Sequence, residues 1–146
     1  KKCYGIFPSE VNIITPQRPA VGSVLLDRVD IPLSAFLSQK AIDGIIKKRE
    51  RSHREGKGFG AQFLQVDKPS YTIPARYWKD GYDALVKYND TDIRRLTILE
   101  LKRIQTFPDC YILHGTNKEI IMQIGNAVAV NFAYYLGIHL KNLLTV

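Results

Sequence analysis

Between Lys47 and Lys57 the chain sets six Lys/Arg side chains (47, 48, 49, 51, 54, 57) against two Glu (50, 55), a surplus of four positive charges in 11 positions. Cations at that density can neutralise successive phosphates of a nucleic acid and release its counterions. They are equally the ordinary solvated end of a helix. Gly56-Lys57-Gly58-Phe59-Gly60 follows directly. Its alternating glycines let backbone approach a ligand closely, with one large apolar side chain among them. The spacing is not the G-x-G-x-x-G of a dinucleotide site, and G-x-x-x-x-G-K-[ST] occurs nowhere. From Tyr71 to Lys79 aromatic and cationic residues are interleaved. Arg76 could read a guanine edge with two hydrogen bonds, and Tyr77 or Trp78 could pack on bases or sugars. A strand with one buried face accounts for the same pattern. Catalytic chemistry is poorly supplied: neither Cys3 nor Cys110 has a base close by in sequence, and no pair of carboxylates stands out. His53, His114 and His139 are isolated, so no metal site is expected.

The elements that must position these residues read as mixed α and β. Ser34 is a candidate cap for a helix over 35–51, with Phe36, Leu37, Ala41, Ile45 and Ile46 as its apolar stripe. Short strands are expected at 11–15, 62–66 and 84–88, with a turn at Asn89-Asp90. Thr97 with Glu100 three residues on forms a capping box for a helix over 98–106, stopped by Pro108. A loop leads to 123–128, and an apolar helix is expected over 129–144.

The composition bounds the answer. With 146 residues and 45% apolar content the chain can bury a core and is not a disordered tail. Its formal charge of +7 favours a polyanionic partner. No run approaches the roughly 18–20 consecutive apolar residues of a membrane span. Two cysteines are too few for a disulfide scaffold and fit a reducing, cytoplasmic-type compartment. A start at Lys1-Lys2-Cys3-Tyr4 reads as the middle of a longer chain.

The last third carries more specific information. Arg95-Leu96-Thr97-Ile98-Leu99-Glu100-Leu101-Lys102-Arg103-Ile104-Gln105-Thr106-Phe107-Pro108-Asp109 is followed by Gln123-Ile124-Gly125-Asn126-Ala127-Val128. The two segments resemble, in order, the last two signature blocks of the DNA cytosine-5 methyltransferases, R-x-L-T-x-R-E-x-x-R-x-Q-G-F-P-D and Q-x-G-N-[AS]-V. Leu99 stands where the family usually has Arg, and Thr106 where it usually has Gly. Upstream, Gly56-Lys57-Gly58-Phe59-Gly60 resembles the family's glycine-rich recognition loop. Thr72-Ile73-Pro74-Ala75-Arg76-Tyr77 resembles its second major-groove loop, although Ile73-Pro74 departs from the usual Leu-Ser. Ala75-Arg76-Tyr77-Trp78-Lys79-Asp80-Gly81 is similar to the subgroup that methylates within CC-(A/T)-GG or CC-N-GG. The likeness runs over about 21–144. It omits the catalytic half: the family's nucleophile sits in a Pro-Cys dipeptide, whereas Cys3 follows Lys2 and Cys110 follows Asp109.

The resemblance implies an α+β fold. An irregular target-recognition domain with short strands is joined by a C-terminal helix that packs on a Rossmann-like catalytic domain outside this chain. It divides the residues into a linker (1–20), a recognition domain (21–110) and a C-terminal motif and helix (111–146). It implies S-adenosylmethionine as cofactor, touched by Asn126 and Ala127, where Gly125-Asn126 would offer helix N-terminal N–H groups to a carboxylate. DNA contacts are expected from Arg54, Lys57, Phe59, Thr72, Arg76, Tyr77, Lys79 and Gln123, with no catalytic residue here. Thr97, Glu100 and Arg103 are expected to be structural, and Val130, Ala133, Tyr134 and Ile138 to face the catalytic domain. The implied partners are duplex DNA and a catalytic half or subunit, with no membrane and a location in the cytoplasm or wherever the DNA is. The alternative is a stand-alone, non-catalytic DNA-binding module.

Overall fold

The structure, a computed structural model, describes residues 19–56, 61–80 and 82–144. The strand expected at 11–15 and most of the glycine-rich loop, Lys57 and Phe59 included, lie outside them. Three 3-10 turns, Val21–Ser23, Arg28–Asp30 and Leu33–Ala35, lead into α1 (Gln39–Arg54). Then come a one-turn helix α2 (Tyr77–Asp80), strands β1 (Leu85–Lys87) and β2 (Ile93–Arg95), and helices α3 (Ile98–Ile104), α4 (Asn117–Asn126) and α5 (Val130–Leu144).

α1 starts four residues later than its sequence pattern indicated. Ser38, not Ser34, caps it, accepting from the Ala41 N–H. The reason lies in tertiary pairing: Leu37 N–H donates to Ile93 O at 2.9 Å, and Phe36 forms an isolated bridge with Arg94. The sheet edge therefore holds Phe36 and Leu37 extended. The buried stripe of α1 becomes Ile42 and Ile45, with Ile46 beside them.

β1 and β2 pair antiparallel with Leu85 opposite Arg95 and Lys87 opposite Ile93. The hairpin turn is closed by Tyr88 N–H to Asp92 O and by the Asn89 side chain, which accepts from Thr91 N–H at 2.9 Å. Because side chains alternate across a strand, β1 serves two cores. Val86 joins Ile73, Tyr77, Ala84, Leu96, Leu101 and Ile124, whereas Leu85 joins Ile42, Ile45, Ala61 and Ile93. The strand expected at 62–66 is reduced to one bridge, Phe63 with Leu85, flanked by Gln62 N–H to Tyr82 O and Leu64 N–H to Leu85 O.

α3 has the capping box its sequence announces, and it ends at Ile104 rather than 106. Thr106 there adopts a left-handed φ of 58°. α4 replaces the expected loop. Thr116 and Glu119 form a second capping box at its start, and Ile120, Ile121 and Ile124 turn into the core shared with α3. Packing therefore runs across residues 110–111. α5 has no buried residue. Asn117–Leu144 together are apolar and long enough to cross a membrane by composition. The segment is, however, two helices of 10 and 15 residues, broken at Ala127, and each is shorter than the roughly 20 residues a span needs.

Candidate nucleic-acid interface

Two side chains of residues 71–79 point inward and anchor the stretch, while others face solvent. Ile73 and Tyr77 are buried, and Thr72, Arg76 and Lys79 are exposed. Pro74 O accepts from Tyr77 N–H at 2.9 Å and Arg76 O from Lys79 N–H at 2.8 Å, which winds this stretch into α2. Tyr77 is thus not available to a base. Only 1% exposed, it donates its hydroxyl to Ala84 O and accepts from Leu96 N–H, both at 2.8 Å. Burial drives its phenol well above the usual range. The sequence pattern missed this because an aromatic among cations reads the same whether it anchors a loop or faces a ligand.

α4 crosses behind the segment at Gly125. A Cβ on Gly125 would lie 2.6 Å from both Ala75 N and Ala75 Cα, and no side chain fits there. At the other end of α4 the Lys118 ammonium sits 4.5 Å from the Trp78 ring centroid, a cation–π contact. The glycine of the Q-x-G-N block is therefore a backbone-packing position under the outward-facing Thr72 and Arg76.

The two signature blocks are also tied to each other. Gln105 Nε2 donates to Ile124 O at 3.1 Å and to Ala127 O at 3.4 Å, and Gln105 O accepts from Val130 N–H at 3.1 Å. Thr106 Oγ1 accepts from Asn131 N–H at 2.9 Å. Gln105 and Thr106 thereby close the end of α4 and cap the start of α5. This corrects the expected setting of Asn126 and Ala127, which stand at the C-terminal end of α4, where the helix dipole is negative. The first N–H groups of α5 are already bonded within the chain. Asn126 offers an exposed side chain, while Ala127 uses its N–H on Ile124 O and its C=O on Gln105. Gln123 is exposed and donates to His114 O at 2.9 Å, which ties down the 111–116 loop.

Beneath the hairpin a buried ion pair links three segments. Arg94 donates to Glu100 through Nη1 at 2.8 Å and Nη2 at 2.9 Å, with both side chains 0% exposed. Arg94 Nε reaches Tyr88 Oη, and Glu100 also accepts from Leu26 N–H and from Thr97 N–H and Oγ1. Burial pushes the Glu100 carboxyl up, but bonds from Arg94, Thr97 and Leu26 outweigh it and hold it below its ordinary value. Arg94 is a residue the sequence reading overlooked, although R-x-L-T spacing puts its arginine at 94. Arg103 pairs with Asp109 at 2.6 Å on the surface and Lys102 Nζ donates to Asp109 O and Tyr111 O.

Three clefts open along this face. A groove of about 750 Å³ lies between α1 and residues 61–65, lined by Arg49, His53, Gln62, Phe63, Tyr71 and Lys87 among others. A cleft of about 360 Å³ brings Thr72 together with Gln105 and Thr106. Another of about 350 Å³ is lined by Gln62, Tyr71, Thr72, Pro74 and Asp83. Tyr71 lines all three, beside the Thr72–Lys79 stretch. Arg54 is exposed in the last turn of α1. Among the described residues no group of His, Cys, Asp or Glu could hold a metal ion, and Cys110 is exposed and free.

Residues 27–142 match the family model of the C-5 cytosine-specific DNA methylases. The chain belongs to that family. It is 32% identical over 125 residues to the type II methyltransferase M1.ScrFI of Lactococcus lactis subsp. cremoris, covering 84% of this chain and 32% of that protein. It is 34% identical over 148 residues to DNA (cytosine-5)-methyltransferase 2 of Arabidopsis thaliana, covering 97% of this chain and 9% of the relative. The fold is similar to the Dnmt2 methyltransferase of S. pombe, with a TM-score of 0.65 at 13% identity over 89% of this chain and 44% of that one. The Entamoeba histolytica methyltransferase EhMeth gives a TM-score of 0.66 at 18% identity, over 94% and 45%. The chain thus spans about a third of the length of the bacterial relatives it matches.

Proposed function

We propose that this chain is the DNA-recognition part and C-terminal closing segment of an S-adenosylmethionine-dependent DNA cytosine-5 methyltransferase. The observation that carries the reading is the interlock of the two signature blocks with the recognition stretch. Gln105 bonds to Ile124 and Ala127, and Gly125 packs against Ala75, so the outward residues 72–79 ride on the same frame as the Asn126–Ala127 turn. Thr72 contacts the DNA backbone, Arg76 reads a base edge, and Arg54, Lys57 and Lys79 grip phosphates. Phe59 enters the stack near the target base. The target belongs to the CC-(A/T)-GG or CC-N-GG type, on the strength of Ala75 to Gly81. Residues 21–110 form the recognition unit, and 111–146 the segment that completes the catalytic domain.

The 146 residues contain no Pro-Cys dipeptide, so the thiolate that adds to C6 of an extruded cytosine comes from a segment or subunit outside them. When bound, S-adenosylmethionine supplies the methyl group for C5. This chain's share in holding it is the exposed Asn126 carboxamide, with Ala127 in van der Waals contact only. α5 docks its apolar side on the catalytic domain.

The test mixes or co-expresses the chain with a catalytic portion of a family member and scores transfer of labelled methyl groups to duplex DNA. Transfer that requires both components is the expected result. Sequence-specific DNA binding without transfer from any catalytic portion would replace this reading with that of a stand-alone binding module.

A further inference from the structure

The groove between α1 and residues 61–65 has a construction that the recognition loops do not explain. Two cations from separate elements converge on one aromatic ring. The Arg49 guanidinium lies 5.1 Å from the Phe63 ring centroid and the Lys87 ammonium 5.4 Å from it. One comes from α1, the other from β1, and both side chains reach the groove they line. His53 stands one helical turn beyond Arg49 on the same wall, and Gln62 and Gln65 supply neutral amides. Glu50 and Asp90 are the carboxylates in the groove. Asp90 already pairs with Lys87 at 2.6 Å, but with its side chain 88% exposed the pair is a solvent-screened one that a phosphate can displace. Behind Arg49, the helix adds Lys47, Lys48, Arg51 and Arg54, five cations against the single Glu50 over 47–54. At its other end the groove reaches Tyr71, next to Thr72.

We propose that this groove is a phosphate track: it holds the sugar-phosphate strand of the DNA that flanks the bases facing residues 72–79, with Arg49 and Lys87 as the gripping cations. The Phe63 ring fixes where both charges sit, since each is drawn to its face. Their mutual repulsion is relieved when a phosphodiester lies between them. Tyr71 marks the junction at which the strand passes from the track to the recognition stretch. The proposal rests on the DNA-binding reading above and adds residues to it that no signature block contains.

The experiment measures binding of a fluorescein-labelled duplex to the 146-residue chain as a function of salt. Each phosphate contact contributes about 0.9 to the slope of log K against log salt. Arg49→Ala with Lys87→Ala should lower the slope by about 2 and weaken cognate and unrelated duplexes by the same factor. The charge-preserving pair Arg49→Lys with Lys87→Arg should keep the slope. A control losing the same charge outside the groove, Lys40→Ala with Lys141→Ala, should leave it unchanged. An equal fall in the control would make the effect one of net charge and overturn the track. So would a lower melting temperature for the alanine pair at an unchanged slope, because the cations would then only cover Phe63. A wild-type chain that binds no duplex at all would remove the DNA-binding reading itself, and the track with it.

Discussion

Arg76 and Tyr77 are neighbours in sequence with opposite fates, and their substitutions should separate cleanly. Arg76→Ala should relax discrimination between duplexes by about 1–3 kcal/mol, as expected for loss of a base-edge contact. Competition binding with single-base variants of the target reads this directly; an equal loss on every sequence would make Arg76 a phosphate contact. Tyr77→Phe should instead cost about 1–3 kcal/mol of stability, because Ala84 O and Leu96 N–H are left buried without a partner. Urea unfolding measures that loss, and the affinity of the folded fraction for DNA should not change. Sequence alone could not tell the two apart. Which of two adjacent polar-tipped residues turns inward is decided by what the chain packs against, here Ala84 and β2.

Elements are joined by a few contacts that carry more than their share. Arg94–Glu100 ties Leu26, the hairpin and α3 into one unit, so Glu100→Gln should destabilise the fold by about 3–5 kcal/mol by stranding a buried guanidinium. The pH dependence has a definite sign. The folded carboxyl titrates below its ordinary value of 4.5, so the pair's contribution is whole above that value and is lost as pH falls through the lower folded one. Thermal melts of wild type and Glu100→Gln across that acid range should converge as the pH drops. Gly125→Ala tests the crossing of α4 over Ala75. Alanine improves intrinsic helix propensity by about 1 kcal/mol, but its Cβ would meet backbone at 2.6 Å. Overpacking against backbone costs about 1–3 kcal/mol, so the net effect should be a lower melting temperature and weaker DNA binding together. A melting temperature raised by the alanine would refute the close-packing role.

At the scale of the whole molecule the described residues form two small cores divided by a hairpin, with helix α5 left uncovered. α5 exposes Val130, Phe132, Tyr134, Leu136, Ile138 and Leu140, and it buries nothing. A continuous apolar helix of that length exceeds the patch an ordinary monomer leaves in water. The chain alone should bind a hydrophobic dye and self-associate in sedimentation. Phe132→Asp with Ile138→Glu should abolish both without lowering the unfolding midpoint, because neither side chain supports the described cores. A dye-silent, monodisperse wild-type chain would count against a covered role for α5.

Much of this molecule is written locally. Both capping boxes, Thr97 with Glu100 and Thr116 with Glu119, are residue patterns that satisfy helix-end N–H groups within four positions. The second is as local as the first, although the residues leading to 123–128 read as a loop. The family, the basic run and the apolar last helix likewise follow from residue types and spacing. What the sequence could not determine were the decisions made between distant segments. α1 begins at Gln39 because Ile93 and Arg94 hold Phe36 and Leu37 in extended pairing, and Tyr77 is a core residue because Ala84 and Leu96 need its hydroxyl. Asn126 ends a helix rather than starting one because Gln105, nineteen and more residues upstream, bonds Ile124 and Ala127. Short-range patterns fix how a segment closes its own hydrogen bonds; which face it buries, and against what, is settled only when the segments meet.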